Sequence, residues 1–121
     1  FNCKINNVSI NDTIICNYIH KRIKIKKMKD IYDRALEKWG HLSQLEMAQE
    51  EATELALAVR KHIRKNNEET FMAMCNEIAD VEIMIEQLKG MFLSCDENVE
   101  RFKKFKLERL AKRIEEDRYE D

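Results

Sequence analysis

The sequence predicts an all-α fold, an antiparallel bundle of about four helices, and three observations support this class. Charged residues make up 37% of the 121 residues and aromatic residues 7%, a mixture typical of long solvated helices. The chain has no proline and two glycines, whereas a fold of many short strands would need more turn residues. From residue 28 onward, apolar residues recur at steps of three and four, the period of an amphipathic helix.

Residues 1–27 differ from the rest of the chain in charge and in pattern. They carry six basic residues and one acidic residue, whereas the other 94 residues carry 16 basic and 22 acidic ones. Residues 28–121 open with MKDIYDRALEKWG and are predicted to form the helical domain. Two interpretations of residues 1–27 are open: a leader outside the native fold, or a basic arm that contacts nucleic acid or a partner. Because the basic run HKRIKIKK at residues 20–27 has no interleaved aromatic residues, nucleic acid is not an expected partner.

The first two predicted helices are separated by a glycine. A short helix covers residues 29–38 and ends near Gly40. Ser43 and Glu46 fit a capping box at the start of the second helix, which reaches about Lys65. The apolar stripe of this second helix consists of Leu45, Ala48, Ala52, Leu55, Ala56, Val59 and Ile63.

The last two predicted helices follow short breaks, so neighbouring helices are expected to run antiparallel. The segment NNEE at 66–69 breaks the pattern and supplies the cap of the third helix, which ends near Gly90. The apolar stripe of the third helix consists of Phe71, Met74, Cys75, Ile78, Val81, Ile85 and Leu88. Ser94 and Glu97 fit a second capping box, which opens a last helix through Ile114.

Cysteine, histidine and hydropathy patterns exclude several classes of protein. The four cysteines form no CxxC pair and have no histidine at zinc-finger spacing, so we expect reduced thiols in a cytoplasmic protein. His20, His41 and His62 complete no Glu-x-x-His pair, which argues against a ferritin-like di-iron site. No run of 18 apolar residues occurs, so no transmembrane helix is expected.

Two pairs of acidic residues lie on consecutive predicted helices. Glu51 and Glu54 belong to the second helix, and Glu77 and Asp80 belong to the third. Residues three apart on a helix face the same way, with Cβ atoms about 5–6 Å apart, so like charges at this spacing repel each other. Both pairs lie at the border of an apolar stripe, which points to a purpose beyond solvation.

The two pairs also match in height along the predicted hairpin. Glu54 lies 13 residues before Asn67 and Asp80 lies 13 residues after it, about 20 Å from the turn in each case. Four carboxylates would then converge on one half-buried patch, where they would take up protons or cations. Oxygen ligands without cysteine or histidine favour Mg²⁺ or Mn²⁺. Because the chain has 23 acidic residues, ordinary surface charge is the alternative for either pair alone.

Three segments resemble the MazG-like branch of the all-α nucleoside triphosphate pyrophosphohydrolase superfamily. They are KWGHLSQLEMAQEEATELALAVRKHIRK, NEIADVEIMIEQLKGMF and KFKLERLAKRI, and the resemblance covers roughly residues 30–115. The superfamily pattern is ExxE on one helix and ExxD on the next. Glu51 and Glu54 match the first motif, and Glu77 and Asp80 match the second after a helical spacer of 22 residues.

The resemblance implies a Mg²⁺-dependent enzyme, with Mn²⁺ as a substitute, in which these four residues bind the metal. The metal would hold the phosphates of a nucleoside triphosphate, and water would attack phosphorus to release the monophosphate and pyrophosphate. The general base is Glu50 or one of the ligand glutamates, Glu51 among them. The expected role is the removal of surplus or damaged (deoxy)nucleotides.

Four further positions match the family through less specific motifs. Lys106 and Arg109 in KLERL match a basic pair that would neutralise phosphate oxygens, although a solvated charged face explains them equally well. Trp39 would stack on a nucleobase or, alternatively, cover one end of the core. Gln44 would hydrogen-bond the edge of the base.

The resemblance also implies a homodimer or homotetramer, because MazG-like proteins assemble from such bundles. Narrow apolar stripes bury little within one chain, in agreement with this expectation. Two alternatives to the pyrophosphohydrolase remain open. One is a hydrolase of another phosphoanhydride, such as phosphoribosyl-ATP or an alarmone, and the other is a non-catalytic helical interaction or regulatory module.

Overall fold

The structure, a computed structural model, describes residues 10–117. This part of the chain consists of three helices joined by short breaks. Helix α1 spans Ile10–Lys65, α2 spans Glu68–Met91 and α3 spans Cys95–Asp117. None of these described helices is both long and apolar enough to cross a membrane. The described residues contain no strand, so the predicted all-α class is confirmed. Assembly into a bundle of about four helices stays a prediction.

Helix α1 begins earlier than predicted and is kinked where the sequence predicts a break. It starts at Ile10 instead of residue 29, so the described part of the basic N-terminal segment is helical. Gly40 interrupts the helix with φ of 83° and ψ of 168°. This backbone region is essentially limited to glycine, because a Cβ would clash with the neighbouring peptide. The first and second predicted helices are therefore joined through a kink.

The helix resumes directly after the kink, and this corrects the predicted second helix start. Ser43 already has helical backbone three residues after Gly40. A capping residue has non-helical backbone and precedes the first helical turn. The predicted capping box of Ser43 and Glu46 is therefore wrong, because Gly40 supplies the non-helical residue ahead of this turn.

The chain divides into two compact units, Phe1–Lys38 and Trp39–Asp121. In the first unit, the described side chains are mostly exposed, and the Arg22 guanidinium lies 5.3 Å from the centre of the Tyr18 ring. The domain boundary predicted after residue 27 stays a prediction. The second unit contains both acidic pairs, and the site described below lies wholly within it.

In the second unit, residues 41–65 of α1 and helix α2 form a helical hairpin with a two-residue turn. Asn66 has a positive φ of 44° in this turn. Asn67 then caps α2, because its Oδ1 accepts a hydrogen bond from the Thr70 amide at 2.9 Å while its own amide donates to the Thr70 hydroxyl at 3.3 Å. The cap predicted from NNEE is therefore confirmed.

Side-chain contacts join the two helices of the hairpin at both ends. Near the turn, Nδ1 of His62 lies 3.0 Å from the Thr70 hydroxyl, and the imidazole lies 6.1 Å from the Phe71 ring. At the far end, the rings of His41 and Phe92 meet edge to face with centroids 6.4 Å apart. These contacts fix the antiparallel register of the hairpin, a role that the spacing of the histidines does not reveal.

An ion-pair cluster around Lys89 joins α3 to the end of α2. The Lys89 ammonium lies 3.2 Å from Oδ1 of Asp96 and 3.5 Å from Oε1 of Glu100, and 16% of its side chain is exposed. The hydrogen bond to Asp96 raises the pKa of Lys89. Helix α3 begins at Cys95, as predicted, although Ser94 has φ of 63° instead of the extended backbone typical of a capping residue.

Few hydrophobic side chains are buried within residues 13–116. Ala58 and Met84 are the buried hydrophobic residues of this part, and Gln44, Thr70 and Gln87 are buried polar residues. Large apolar side chains remain exposed on both helices of the hairpin, among them Leu45, Val59 and Ile63 on α1 and Phe71, Ile78 and Ile85 on α2. The hairpin therefore leaves much of its predicted apolar stripes uncovered.

Candidate metal centre

Three predicted metal ligands meet between the two helices of the hairpin. Glu51 on α1 and Glu77 and Asp80 on α2 each offer one carboxylate oxygen, and these three oxygens lie within 4.8 Å of one another. Glu77 and Asp80 share a face of α2 because they are three residues apart, and antiparallel packing brings Glu51 opposite them. All three side chains are partly buried between the helices.

Glu54, the fourth predicted ligand, lies beside this group. It follows Glu51 by three residues and shares its side of α1. Glu54 and Glu77 border the same cleft, so Glu54 lies near the α2 side of the group. We refer to Glu51, Glu54, Glu77 and Asp80 as the acidic quartet. The structure thus brings three of the four residues of the ExxE and ExxD motifs into one group and leaves the exposed Glu54 at its edge.

Burial and like charge both disfavour ionisation of Glu51 and Glu54. The pKa of Glu51 is raised, first by burial of its carboxyl group and then by the negative charges of Asp80 and Glu54. The pKa of Glu54 is raised by burial first and by the charge of Glu77 next. The ion pairs among the described residues do not involve the quartet. A divalent cation would relieve this repulsion.

One carboxylate oxygen in the quartet is buried without a hydrogen-bond partner. This atom is Oε2 of Glu77, whereas Oε1 of the same residue accepts a hydrogen bond from the side-chain amide of Asn76 at 3.5 Å. The side-chain amide of Asn76 also donates to Oδ2 of Asp80 at 3.4 Å and helps to orient the Asp80 carboxylate. A buried carboxylate oxygen without a partner is unfavourable, and a bound cation would satisfy it. This all-oxygen donor set fits Mg²⁺ or Mn²⁺.

A cleft of about 250 Å³ opens beside the quartet on the side of the hairpin turn. Glu54 and Glu77 border it at the quartet, and Lys61 borders it nearer the turn. Between them the wall is mostly apolar and is formed by Leu57, Ala58 and Ala73. We call this space the turn-side cleft. It is large enough to hold a small anion next to the candidate metal ligands.

The other predicted site residues lie outside the quartet. Glu50 is exposed on α1 and its charge raises the pKa of both Glu51 and Glu54. Gln44 is buried, with 5% of its surface exposed, whereas Trp39 is 58% exposed. Lys106 and Arg109 are exposed on α3, and neither of them lines the turn-side cleft. The roles of these five residues stay predictions.

Two residues near the site are not among the site residues predicted from the sequence. Lys61 lines the turn-side cleft, and Gln87 is buried with 4% of its surface exposed and no partner for its Nε2. Lys61 follows Glu54 by seven residues, and Gln87 follows Asp80 by seven. Seven residues are nearly two helical turns, so each residue shares a helix face with the quartet. This spacing is the signal in the sequence that identifies them.

No protein-family model, curated protein or solved structure matches the chain. The residues of the site and their geometry are therefore the basis on which a function can be inferred.

Proposed function

We propose that the protein is a Mg²⁺-dependent nucleoside triphosphate pyrophosphohydrolase, which cleaves (d)NTPs to (d)NMPs and pyrophosphate. The observation that supports this most directly is the convergence of Glu51, Glu77 and Asp80, with oxygens within 4.8 Å of one another. The buried, unpartnered Oε2 of Glu77 supports the proposal, because a bound cation would satisfy it. The resemblance to MazG-like sequences supplies the substrate class and the role in clearing surplus or damaged nucleotides.

The acidic quartet would hold the metal, and a neighbouring carboxylate would handle the proton. When bound, Mg²⁺ supplies neutralisation of phosphate charge and lowers the pKa of water. Glu50 is exposed beside Glu51 and Glu54, so its carboxylate is open to accept a proton from the attacking water. Glu51 is the alternative base, because its raised pKa makes it a better proton acceptor than an ordinary glutamate.

Phosphoryl transfer suits such a site because it depends mainly on charge neutralisation and in-line placement of the nucleophile. Four carboxylates fixed on two helices provide a rigid anchor for the cation. Trp39, Gln44, Lys106 and Arg109 remain the candidates for contacts to the base and to the phosphates. Their side chains would act on substrate orientation, whereas the quartet would act on the reacting phosphate.

A panel of canonical and modified (d)NTPs with Mg²⁺ tests the proposal through release of pyrophosphate. We expect release by the wild-type protein and a loss of at least about 100-fold in the Glu77→Gln variant, because a ligand oxygen is removed from the cation. Glu82→Gln is the matched control, since Glu82 is exposed on the same helix and outside the quartet. We expect this control variant to keep wild-type activity.

The outcomes of this assay separate the proposal from its two competitors. Binding of Mg²⁺ without release from any nucleotide would identify a hydrolase of another phosphoanhydride. Absence of Mg²⁺ binding would make the quartet surface charge and favour a non-catalytic helical interaction module. The exposed apolar residues of the hairpin, such as Ile78 and Ile85, support this last alternative, because they suit association with another protein.

The same exposed stripes support a homodimer or homotetramer. Ala58 and Met84 are the buried hydrophobic residues within residues 13–116, which is a small core for a chain of 121 residues. Association of two hairpins through the exposed stripes would bury the apolar surface that one chain leaves in water. The quartet itself comes from a single chain.

A further inference from the structure

The turn-side cleft contains a basic residue, Lys61, to which the proposed function gives no role. Its acidic end is formed by Glu54 and Glu77, which also belong to the quartet. Oε2 of Glu77 is buried without a hydrogen-bond partner. Any ligand in the cleft would therefore meet a cation-binding group at one end and an ammonium group at the other.

Lys61 has the reach and the freedom to bind a ligand near the quartet. It follows Glu54 by seven residues, which is about 10 Å along the helix axis. Long side chains on a helix tend to lean toward its N-terminus, and Lys61 lines the same cleft as Leu57 and Glu54. The ion pairs among the described residues do not include Lys61. Its positive charge is thus available to a ligand.

The remaining wall of the cleft offers few other polar contacts. The Thr70 hydroxyl is already engaged, because it donates to the Asn67 carbonyl at 3.0 Å and lies 3.0 Å from Nδ1 of His62. Leu57, Ala58 and Ala73 contribute apolar surface. The polar groups that border the cleft are therefore carboxylates at one end and an ammonium at the other. A complementary ligand needs two linked anionic groups, one bridged to the carboxylates by a cation and one paired with the ammonium.

We infer that Lys61 is a substrate-binding residue, which pairs with one phosphate of a di- or triphosphate whose adjoining phosphate lies at the cation of the quartet. This inference rests on the proposed function and adds the direction of the phosphate chain, which runs along the turn-side cleft toward the hairpin turn. Lys61 thereby takes the phosphate contact nearest to the quartet, whereas Lys106 and Arg109 lie outside the cleft.

Isothermal titration calorimetry with inorganic pyrophosphate tests this inference on the full chain saturated with Mn²⁺. The test variant is Lys61→Met, which removes the charge and keeps a linear stem. We expect pyrophosphate to bind at least about tenfold more weakly, as is typical for loss of one charge-assisted hydrogen bond. A second titration measures binding of Mn²⁺ alone, which should be unchanged or tighter because a nearby positive charge has been removed.

Two further variants separate the role of the charge from general effects on the helix. Lys65→Met removes the same charge one turn later on α1, at a position that does not line the cleft, and should leave pyrophosphate binding unchanged. Lys61→Arg keeps the charge and should bind pyrophosphate within about threefold of wild type. Thermal melts monitored by circular dichroism confirm that each variant is folded before it is titrated.

The possible results distinguish failure of this inference from failure of the proposed function. Wild-type affinity for pyrophosphate in Lys61→Met, with Mn²⁺ bound, overturns the role of Lys61 and leaves the metal centre standing. Equal weakening in Lys61→Met and Lys65→Met overturns it as well, because a general charge effect then explains the loss. If the wild-type protein binds no Mn²⁺, the proposed function fails and the inference fails with it.

Discussion

At the scale of single residues, the acidic quartet is costly for the folded chain without a cation. Burial and mutual repulsion raise the pKa of Glu51 and Glu54, and Oε2 of Glu77 lacks a partner. A helical hairpin selected only for stability would place apolar side chains or opposite charges at these positions. Groups that weaken the fold in this way are typical of functional sites, where a ligand compensates for them.

The raised pKa values predict how stability depends on pH in the absence of metal. Glu51 and Glu54 bind protons more tightly in the folded chain than in the unfolded chain, where 4.5 is the reference pKa. Their contribution is therefore fully present below about pH 4.5 and is lost as the pH rises through the folded-state values. We expect the free energy of unfolding, measured by urea denaturation in EDTA, to fall over this range less steeply in Glu51→Gln than in wild type.

Addition of Mg²⁺ should reverse this loss at neutral pH, because the cation compensates the ionised carboxylates. The Glu82→Gln variant should keep the wild-type pH dependence, since Glu82 lies on α2 outside the quartet. An identical pH slope in wild type and Glu51→Gln would show that the carboxyl group of Glu51 is not crowded in the folded protein.

At the scale of the helices, Gly40 and Gly90 offer a direct test of the kink in α1. Beyond its neighbours along the chain, a Cβ added at either glycine meets no atom within 4 Å, so the two sites differ in backbone conformation and not in the space around them. Gly40 has φ of 83°, whereas Gly90 lies within α2. We expect Gly40→Ala to lower the free energy of unfolding by about 1–3 kcal/mol and Gly90→Ala to raise it by up to about 1 kcal/mol.

Urea denaturation followed by circular dichroism at 222 nm measures both glycine variants under the same conditions. The sign of the difference is the informative result, because alanine is a better helix former than glycine wherever the backbone is helical. Stabilisation by Gly40→Ala would mean that α1 runs through residue 40 without a kink.

The hairpin holds its two helices in the register that forms the site. Asn67 and Thr70 close the turn, and the contact of His41 with Phe92 joins the far ends of the two helices. These contacts at the two ends determine which side chains of α1 and α2 lie opposite each other in between. Glu51 therefore faces Glu77 and Asp80, and a shift of one residue in α2 would rotate its two ligands by about 100° away from Glu51.

At the scale of the whole molecule, exposed apolar stripes predict association of chains. Ile78 and Ile85 lie seven residues apart on one face of α2 and are 40% and 45% exposed. We expect light scattering to give the mass of a dimer or tetramer for wild type and a lower mass for Ile78→Glu, because a charge in the interface is not compensated. Met72→Glu is the control, since Met72 is exposed on a different side of α2.

The mass of the wild-type protein decides this prediction. A monomer at micromolar concentration would contradict association through the hairpin stripes. Loss of association in both Ile78→Glu and Met72→Glu would instead indicate that the added charge acts through general destabilisation of α2. Circular dichroism of both variants checks that they retain wild-type helix content.

Periodicity and spacing alone determined the helical class, a cap within residues 66–69, the start of α3 at Cys95 and the pairing of acidic residues within each helix. These are local properties, because a helical repeat fixes which residues share a face whatever the surroundings are. Where the local signal was ambiguous, as at Ser43, the capping prediction was wrong because Gly40 provided the break. The apolar pattern also did not predict that α1 begins as early as Ile10.

Tertiary structure alone decided which faces meet and which atoms lose contact with water. The distance between the oxygens of Glu51, Glu77 and Asp80, the buried Oε2 of Glu77 and the position of Lys61 in the cleft all depend on the register of two helices. That register is set by contacts between residues far apart in sequence, such as His41 with Phe92. Spacing along one helix contains no information on it, because burial and distance arise only when a second helix packs against the first.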